Sequence, residues 1–289
     1  MKAAPFSYVR PDSIAEAVGA LGQHGDDGRI IAGGQSLGAM LNMRLVMPKV
    51  LIDINRIEET SRIDVAFDHV RIGATVRQCD AMADKRLHAT PLLSASLPHV
   101  GHYQTRNRGT ICGSIAHADP SAELPLALLV SGGSVELRSR KKTRVVAAND
   151  FFVSTLTTAR LADEMIVAAL WPTAKPHTGH SFAEFAIRSG DYAIVAAAAE
   201  VQLDSDDRVV RLSVGLAGIG ERPVLINTAS FEGQKLSADV LDAIETNARQ
   251  GIDPVNDLQA SAQFRTHMAG VMARHVVFEA LNRARSDVL

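Results

Sequence analysis

Two short glycine-bearing stretches hold most of the chemistry open to this chain. The first, Ile30 to Leu41, reads I-I-A-G-G-Q-S-L-G-A-M-L: an apolar run of strand type, then Gly33-Gly34-Gln35-Ser36, then Leu37, Met40 and Leu41 at helical spacing. Strand, glycine turn and helix start follow in order. Two adjacent glycines admit positive φ and let a ligand approach the backbone with no Cβ in the way. Successive N–H groups in such a turn form a nest for an anion, so phosphate is the expected ligand. A plain turn is the alternative, because the stretch is neither G-x-G-x-x-G nor the lysine-bearing P-loop.

The second stretch, Thr110 to Pro125, reads T-I-C-G-S-I-A-H-A-D-P-S-A-E-L-P. Small residues, hydroxyls and two carboxylates dominate it, whereas a packing segment would be more apolar. Thr110 and Ser114 offer hydroxyl donors, Gly113 permits close backbone approach, and Asp119 and Glu123 supply acceptors for ribose or ribityl hydroxyls. One turn for phosphates and one for a polyol would suit a dinucleotide. The two carboxylates serve equally well as helix caps ahead of Leu124 to Val130.

Other chemistries find little support. Cys79 and Cys112 are too few for a disulfide framework, and no C-x-x-C is present to hold zinc or an iron–sulfur cluster. The ten histidines form no H-E-x-x-H, and His99 and His102 stand in a loop without a carboxylate at ligand spacing. No metal site is expected on this chain. The net charge of −2 arises from 30 basic and 32 acidic residues spread along the sequence, and aromatics make up only 4 %. Nucleic acid is thereby disfavoured as a partner. No apolar run approaches the roughly eighteen residues of a transmembrane helix, and the N-terminus has no secretory core, so a cytoplasmic location is expected.

At 289 residues, 46 % hydrophobic and 21 % charged, the chain suits a globular protein of about two domains. Residues 13–21 place Ile14, Ala17, Val18 and Leu21 on one helical face, with Ser13 and Glu16 as a capping box. Val50 to Ile54 reads as a strand that completes a small α/β lobe over residues 1–55. Residues 63–67 and 70–73 flank Asp68-His69 as a hairpin, and Thr75 to Met82 suits a helix. His102 to Arg108 reads as a polar loop. A second hairpin flanks Ser139 to Lys142, and Glu164 to Trp171 supplies a further strand stopped by Pro172. Thr173 to His180, polar and broken by Pro and Gly, is the expected linker, with a boundary near residue 175. Beyond it, Ser181 to Ile187, Ile194 to Leu203 and Val209 to Ala217 read as three meandering strands. A helix capped by Ser237 or Asp239 and another over Ala262 to Arg283 follow.

These segments carry a specific resemblance. A-G-G-Q-S at 32–36 and T-I-C-G-S at 110–114, the latter followed by A-H-A-D-P-S-A-E, resemble the two FAD signatures of the flavoprotein (medium) subunits of molybdenum hydroxylases. That is the carbon monoxide dehydrogenase and xanthine dehydrogenase family. The N-terminal F-S-Y-V-R-P-D-S-I-A-E-A and F-A-I-R-S-G-D-Y-A-I-V at 185–195 extend the similarity over nearly the whole chain.

The resemblance implies an α+β protein: a two-lobed FAD-binding domain of the vanillyl-alcohol oxidase type, then a C-terminal domain with a three-stranded antiparallel sheet and helices. On that basis the lobes are residues 1–55 and 56–175, and the C-terminal domain is 176–289. It further implies that backbone N–H groups of Ala32, Gly33, Gly34, Gln35 and Ser36 bind the FAD pyrophosphate, with Leu37 adjoining. Thr110, Gly113 and Ser114 would form the second cofactor turn, with Asp119 and Glu123 on the cofactor's polar parts. Val100 and Ile166 would lie beside it, and Tyr192, in the turn that also holds Arg188 and Asp191, would adjoin the isoalloxazine. No catalytic residue is implied.

As an oxidoreductase subunit, such a chain relays electrons from [2Fe–2S] clusters on a small subunit to an external acceptor, while a large subunit carries the molybdenum cofactor. A dimer of heterotrimers is the implied assembly. Two departures stand out. Cys112 replaces the first glycine of the family's T-I-G-G-S or T-I-G-G-N, so that position either needs no positive φ or the turn is altered. With nothing basic adjoining, its thiol reads as inert. The stretch Phe182 to Arg188 also lacks the lysine found near the flavin in xanthine dehydrogenases. A self-sufficient flavin oxidase or reductase of the same fold, and a non-enzymatic binding module, are the competing readings.

Overall fold

Three short apolar runs, alternating with capped amphipathic runs, produce the first lobe. The computed structural model describes residues 2–286. In it β1 (Ser7–Val9), α1 (Ile14–His24), β2 (Gly28–Ile31), α2 (Gln35–Asn42) and β3 (Val50–Asp53) form a parallel three-stranded sheet in the order β1-β3-β2. Helix α1 buries Ile14, Ala17, Val18 and Leu21 as one stripe. The Ser13 hydroxyl accepts the Glu16 N–H at 3.2 Å, and the Glu16 carboxylate accepts the Asp12 N–H at 3.0 Å. This is a capping box that reaches back one residue beyond the cap.

The second lobe is built on β4 (Ile63–Val65), β5 (His69–Gly73), β6 (Ser134–Arg138), β7 (Thr143–Ala147) and β10 (Met165–Pro172). They form an antiparallel sheet ordered β4-β5-β10-β6-β7. Short helices α3 (Gln78–Ala83), α4 (Pro91–Ser96), α5 (Tyr103–Arg108), α6 (Ile111–His117), α7 (Glu123–Val130) and α8 (Ala148–Phe151) fill the connections, and β8 (Phe152–Ser154) pairs with β9 (Thr157–Thr158). Every residue of α7, E-L-P-L-A-L-L-V, is buried. A helix apolar all round must be covered all round, and α7 is covered by the second lobe on one side and by the next domain on the other.

That domain contains β11 (Thr178–Phe185), β12 (Val195–Leu203), β13 (Val209–Ala217) and the two-residue β14 (Val224–Leu225), antiparallel in that order. Helices α9 (Ala238–Gln250) and α10 (Ala262–Ser286) follow. Side chains alternate across a strand: Ala196 and Ala198 of β12 belong to the core shared with the lobes, and Ala197 and Ala199 to the core under α9 and α10. Small side chains on both faces let a helix lie close on each. Gly179 does the same on β11, since a Cβ there would run into the backbone of Ala280 and Ala284 on α10.

The structure departs from the sequence reading in four places. His102 to Arg108 is helix α5, although it has no apolar stripe; the Arg106 guanidinium holds it by donating to the carbonyls of Val100 at 2.9 Å and Gly101 at 2.8 Å. Thr75 stands in a turn closed by the Val76 N–H on the Gly73 carbonyl at 3.2 Å, its own N–H bonds the Thr60 carbonyl at 2.9 Å, Arg77 is extended, and α3 starts only at Gln78. The expected linker is short and tied down, with Thr173 N–H on Asp68 O, Ala174 N–H on Ala89 O, and β11 already running from Thr178. The third domain adds β14 to the three expected strands. Among the described residues no helix is long and apolar enough to cross a membrane.

Candidate functional site

The first glycine turn joins β2 to α2. Gly34 is the N-cap of α2 with φ 70°, a left-handed conformation that favours glycine. Having no side chain, it leaves the N–H groups of the helix's first turn without a cap from this residue, and the helix dipole points its positive end at the same place. The Gln35 side-chain amide donates to the Gly33 carbonyl at 3.1 Å and braces the turn. Gly33 is glycine for a different reason: a Cβ would collide with the Arg108 carbonyl and the Gly109 Cα. The first turn therefore rests directly on the start of the second.

The second turn is helical. Thr110 is the N-cap of α6, its hydroxyl accepting the Gly113 N–H at 2.9 Å. Cys112 therefore lies in the first turn of a helix and needs no positive φ, which accounts for a cysteine at this position. It is buried, it faces the Ile72 carbonyl at 3.5 Å, and burial pushes its thiol up to about 12. A thiol so protonated and enclosed is inert. Ala118 ends α6 at φ 52°, left-handed without being glycine, and turns the chain toward Asp119, whose carboxylate accepts the Ser121 N–H at 2.9 Å.

Glu123 begins α7 and is buried. Burial, followed by the charge of Glu184, raises its pKa to about 7, with the neighbouring His99 opposing. His99 Nδ1 stands 3.3 Å from Glu184 Oε1, and this bond raises the imidazole pKa against the effect of burial. Tyr192 gathers the three segments. Burial and the charges of Asp119 and Glu123 push its phenol up to about 12, while the nearby Ser36 hydroxyl acts to lower it. Its ring stays half exposed, the posture of an aromatic waiting to be covered. The turn below it closes through the Asp191 N–H on the Arg188 carbonyl at 3.1 Å. At its apex Gly190, φ 86°, abuts the His102 ring.

The structure thus brings together Ala32, Gly33, Gly34, Ser36, Thr110, Gly113, Asp119, Glu123 and Tyr192. Val100 is buried one residue before the Gly101 carbonyl that touches Gly190. Ile166 is buried in central strand β10 opposite Leu137. Residues with no sequence signature complete the arrangement. Asn55 donates to the Ala32 carbonyl at 2.9 Å and to Asp53 Oδ1 at 2.5 Å, and Tyr8 donates to the other oxygen of Asp53. Arg77 donates to Asn55 Oδ1 at 2.6 Å and to the Arg108 carbonyl at 2.5 Å. Their partners lie tens of residues away, so only the position of Asp53 and Asn55 at the end of a strand hinted at them.

Chemically, the arrangement offers N–H donors for an anion, carboxylates and hydroxyls for a polyol, and an exposed ring edge for a planar group. These donors and acceptors fit a dinucleotide. A separate polar groove lined by Arg62, Asp64, Asp80, Asp84 and Arg86 contains none of these residues, and its Asp84 is already paired with Arg86 at 2.6 Å.

Comparison with known proteins agrees with this chemistry. Residues 4–174 match the family model of the FAD binding domain in molybdopterin dehydrogenase, and residues 180–280 that of the CO dehydrogenase flavoprotein C-terminal domain. The chain is 37 % identical over 288 residues to the 6-hydroxypseudooxynicotine dehydrogenase complex subunit alpha of Paenarthrobacter nicotinovorans, covering 99 % of this chain and 97 % of that one. It is 34 % identical over 286 residues to the carbon monoxide dehydrogenase medium chain of Afipia carboxidovorans, covering 97 % and 98 %. Among solved structures, carbon monoxide dehydrogenase from Hydrogenophaga pseudoflava, in a form lacking the Mo-pyranopterin moiety of the molybdenum cofactor, superposes with a TM-score of 0.95 at 31 % identity, covering 98 % of this chain and 99 % of that one.

Proposed function

This chain belongs to the family of FAD-binding medium subunits of the molybdenum hydroxylases, and from that premise we propose that it is the electron-transfer subunit of such an enzyme. In this reading it takes electrons from [2Fe–2S] clusters on a small partner subunit and passes them to an external acceptor. A large partner subunit carries the molybdenum cofactor and the substrate, and two heterotrimers associate. The enzyme works in the cytoplasm, a compartment that suits two free cysteines.

The observation that carries the reading is the seating of the first glycine turn on the second, Gly33 against the Arg108 carbonyl, with Tyr192 near Ser36, Asp119 and Glu123. N–H groups at Gly34 to Leu37 would hold the pyrophosphate of FAD, and Asp119 and Glu123 would accept from its hydroxyls. Tyr192 would flank the isoalloxazine, and Ser36 would fix the phenol. Bound FAD supplies redox chemistry between one-electron and two-electron partners. Nothing else on the chain need act as acid or base, so its work is to bind, orient and shield. The exposed apolar Met43, Leu45 and Met47 just after α2 are surface of the kind a partner subunit covers.

Isolation with its partners tests this. The expected preparation holds FAD, released by acid, at one per copy of this chain, together with iron and molybdenum on co-purifying chains. Rapid mixing with substrate should reduce the iron–sulfur signal before the flavin bleaches. An FAD-loaded chain that associates with no iron-bearing subunit, or a flavin reduced directly by substrate, would defeat the proposal.

A further inference from the structure

We propose that Arg77 is the positioning residue that clasps the two glycine turns at a fixed separation and supplies a positive charge, tied up in no salt bridge, behind the site of a diphosphate. The inference rests on reading these turns as the FAD site. Its geometry is a short chain of bonds. One arm of the guanidinium, Nη1, donates to the Arg108 carbonyl at 2.5 Å, the same oxygen against which Gly33 is seated. The other arm, Nη2, donates to Asn55 Oδ1 at 2.6 Å, and Asn55 Nδ2 donates to the Ala32 carbonyl at 2.9 Å. One planar cation therefore holds the residue before Gly33 through Asn55 and the residue before Gly109 directly.

Such a span needs a fork. Arginine's donors diverge in one rigid plane, whereas lysine offers a single point of attachment. The backbone around Arg77 adds a third link, an isolated bridge between Arg77 and Thr110 and the Gln78 N–H on the Gly109 carbonyl at 2.9 Å.

The guanidinium also brings charge. Both acceptors of Arg77 are neutral, and among the described residues no carboxylate lies within ion-pair distance of it. The Asp80 and Asp53 carboxylates act on it from beyond that distance, and Asp53 also orients Asn55 by accepting both its backbone N–H at 2.9 Å and its side-chain amide at 2.5 Å. Burial and the Arg108 cation lower the pKa of the guanidinium, yet an arginine retains its proton at any pH a protein meets. A half-buried cation whose hydrogen-bond acceptors are all neutral oxygens is costly to hold. An anion laid across the glycine turns would relieve that cost. The turns by themselves supply only dipoles, and Arg77 adds a full positive charge beside the nest.

The test uses apoprotein from wild type, Arg77→Gln and Arg77→Lys, and two ligands, FAD and ADP. ADP carries the diphosphate without the flavin. Affinities are read by flavin fluorescence quenching and calorimetry, and ADP binding is repeated from low to high KCl. Arg77→Gln should weaken both ligands by on the order of tenfold or more, as expected for the loss of a charge-assisted anchor. It should also flatten the salt dependence of ADP binding, which a merely structural role would leave alone. Arg77→Lys keeps the charge and loses the span, so its salt dependence should persist while FAD affinity still falls about tenfold.

FAD affinity within threefold of wild type in either variant overturns the clasp, and an unchanged salt dependence in Arg77→Gln overturns the charge. If Arg77→Gln does not fold, Arg77→Lys alone decides the clasp, and Asn55→Ala decides the charge. Asn55→Ala cuts one arm and leaves the cation in place, so salt-dependent ADP binding should survive it, and its loss would count against the proposal. Failure of wild-type apoprotein to bind FAD or ADP would instead overturn the reading of the glycine turns.

Discussion

In the turn between β2 and α2, the backbone itself makes the demand: Gly34 sits at φ 70° and Gly33 has the Arg108 carbonyl where a Cβ would be. In the turn that opens α6, a side chain makes it: the Thr110 hydroxyl caps the helix, and Gly113 is glycine because a Cβ would lie 2.6 Å from that hydroxyl. The first turn leaves its donors uncapped and carries no titratable group. The second satisfies a donor internally, tolerates Cys112 in its core-facing position and leads within ten residues to a buried carboxylate at Glu123. The difference teaches that two glycine signatures in one site do unlike work. One presents bare N–H groups to an anion, and the other is a capped helix end that positions hydroxyls and carboxylates.

The sharpest way to break this contrast is Gly33→Val. Its side chain must displace backbone on the facing turn, so the cost should reach or exceed about 3 kcal/mol, the upper end for overpacking. The variant should fold with a lowered melting temperature and hold no FAD after gel filtration. Full retention of flavin would show that the two turns need not touch.

Next in size is the titration confined to the second turn. The pKa of Glu123 is raised in the folded protein from 4.5 to about 7, so the folded state holds its proton where the unfolded chain has lost it. Its contribution to stability is then fully present below pH 4.5, falls as pH rises toward 7 and levels off above, a loss on the order of 3 kcal/mol. His99, also raised, acts in the same sense: its contribution is present below 6.5 and is lost as pH passes its folded value. Glu123→Gln apoprotein should therefore exceed wild type in stability above pH 7, with the gap closing below pH 4.5 in urea titrations. Parallel stability curves for the two proteins would refute the assignment.

Smallest is the cap itself. Thr110→Ala should cost about 1 kcal/mol, read as a shifted urea midpoint, whereas Thr110→Ser should stay close to wild type. Equal effects of the two changes would mean that the hydroxyl caps nothing.

What could be read from sequence divides along the same line. A backbone that needs glycine advertises it, so Gly33, Gly34 and the strand and helix around them were legible, as were Thr110 and Gly113 as a pair. The helical form of the second turn was not, because Cys112 and Gly113 are poor helix formers and only the Thr110 cap and the burial of Ile111, Cys112 and Ile115 decide it. Helix α5 was illegible for the same kind of reason: it has no apolar stripe and depends on Arg106 reaching back to Val100 and Gly101. The polar relay was the least legible part. Asn55 and Arg77 are 22 residues apart, and Arg77 and Arg108 are 31 apart. Such pairings exist only once the sheets have formed.

The alternating alanines of β12 bear on how the chain is made. One face of that strand completes the core of the lobes and the other completes the core beneath α10. A nascent chain therefore finishes both glycine turns long before the wall behind them exists. Until β12 emerges, α7 has uncovered apolar surface, the exposure that invites aggregation during synthesis. Tyr192 arrives with that same strand and meets Ser36, made more than a hundred and fifty residues earlier. The site is begun at the first turn and closed only some 156 residues later at Tyr192, so a chain stopped between them has the turns without their enclosure.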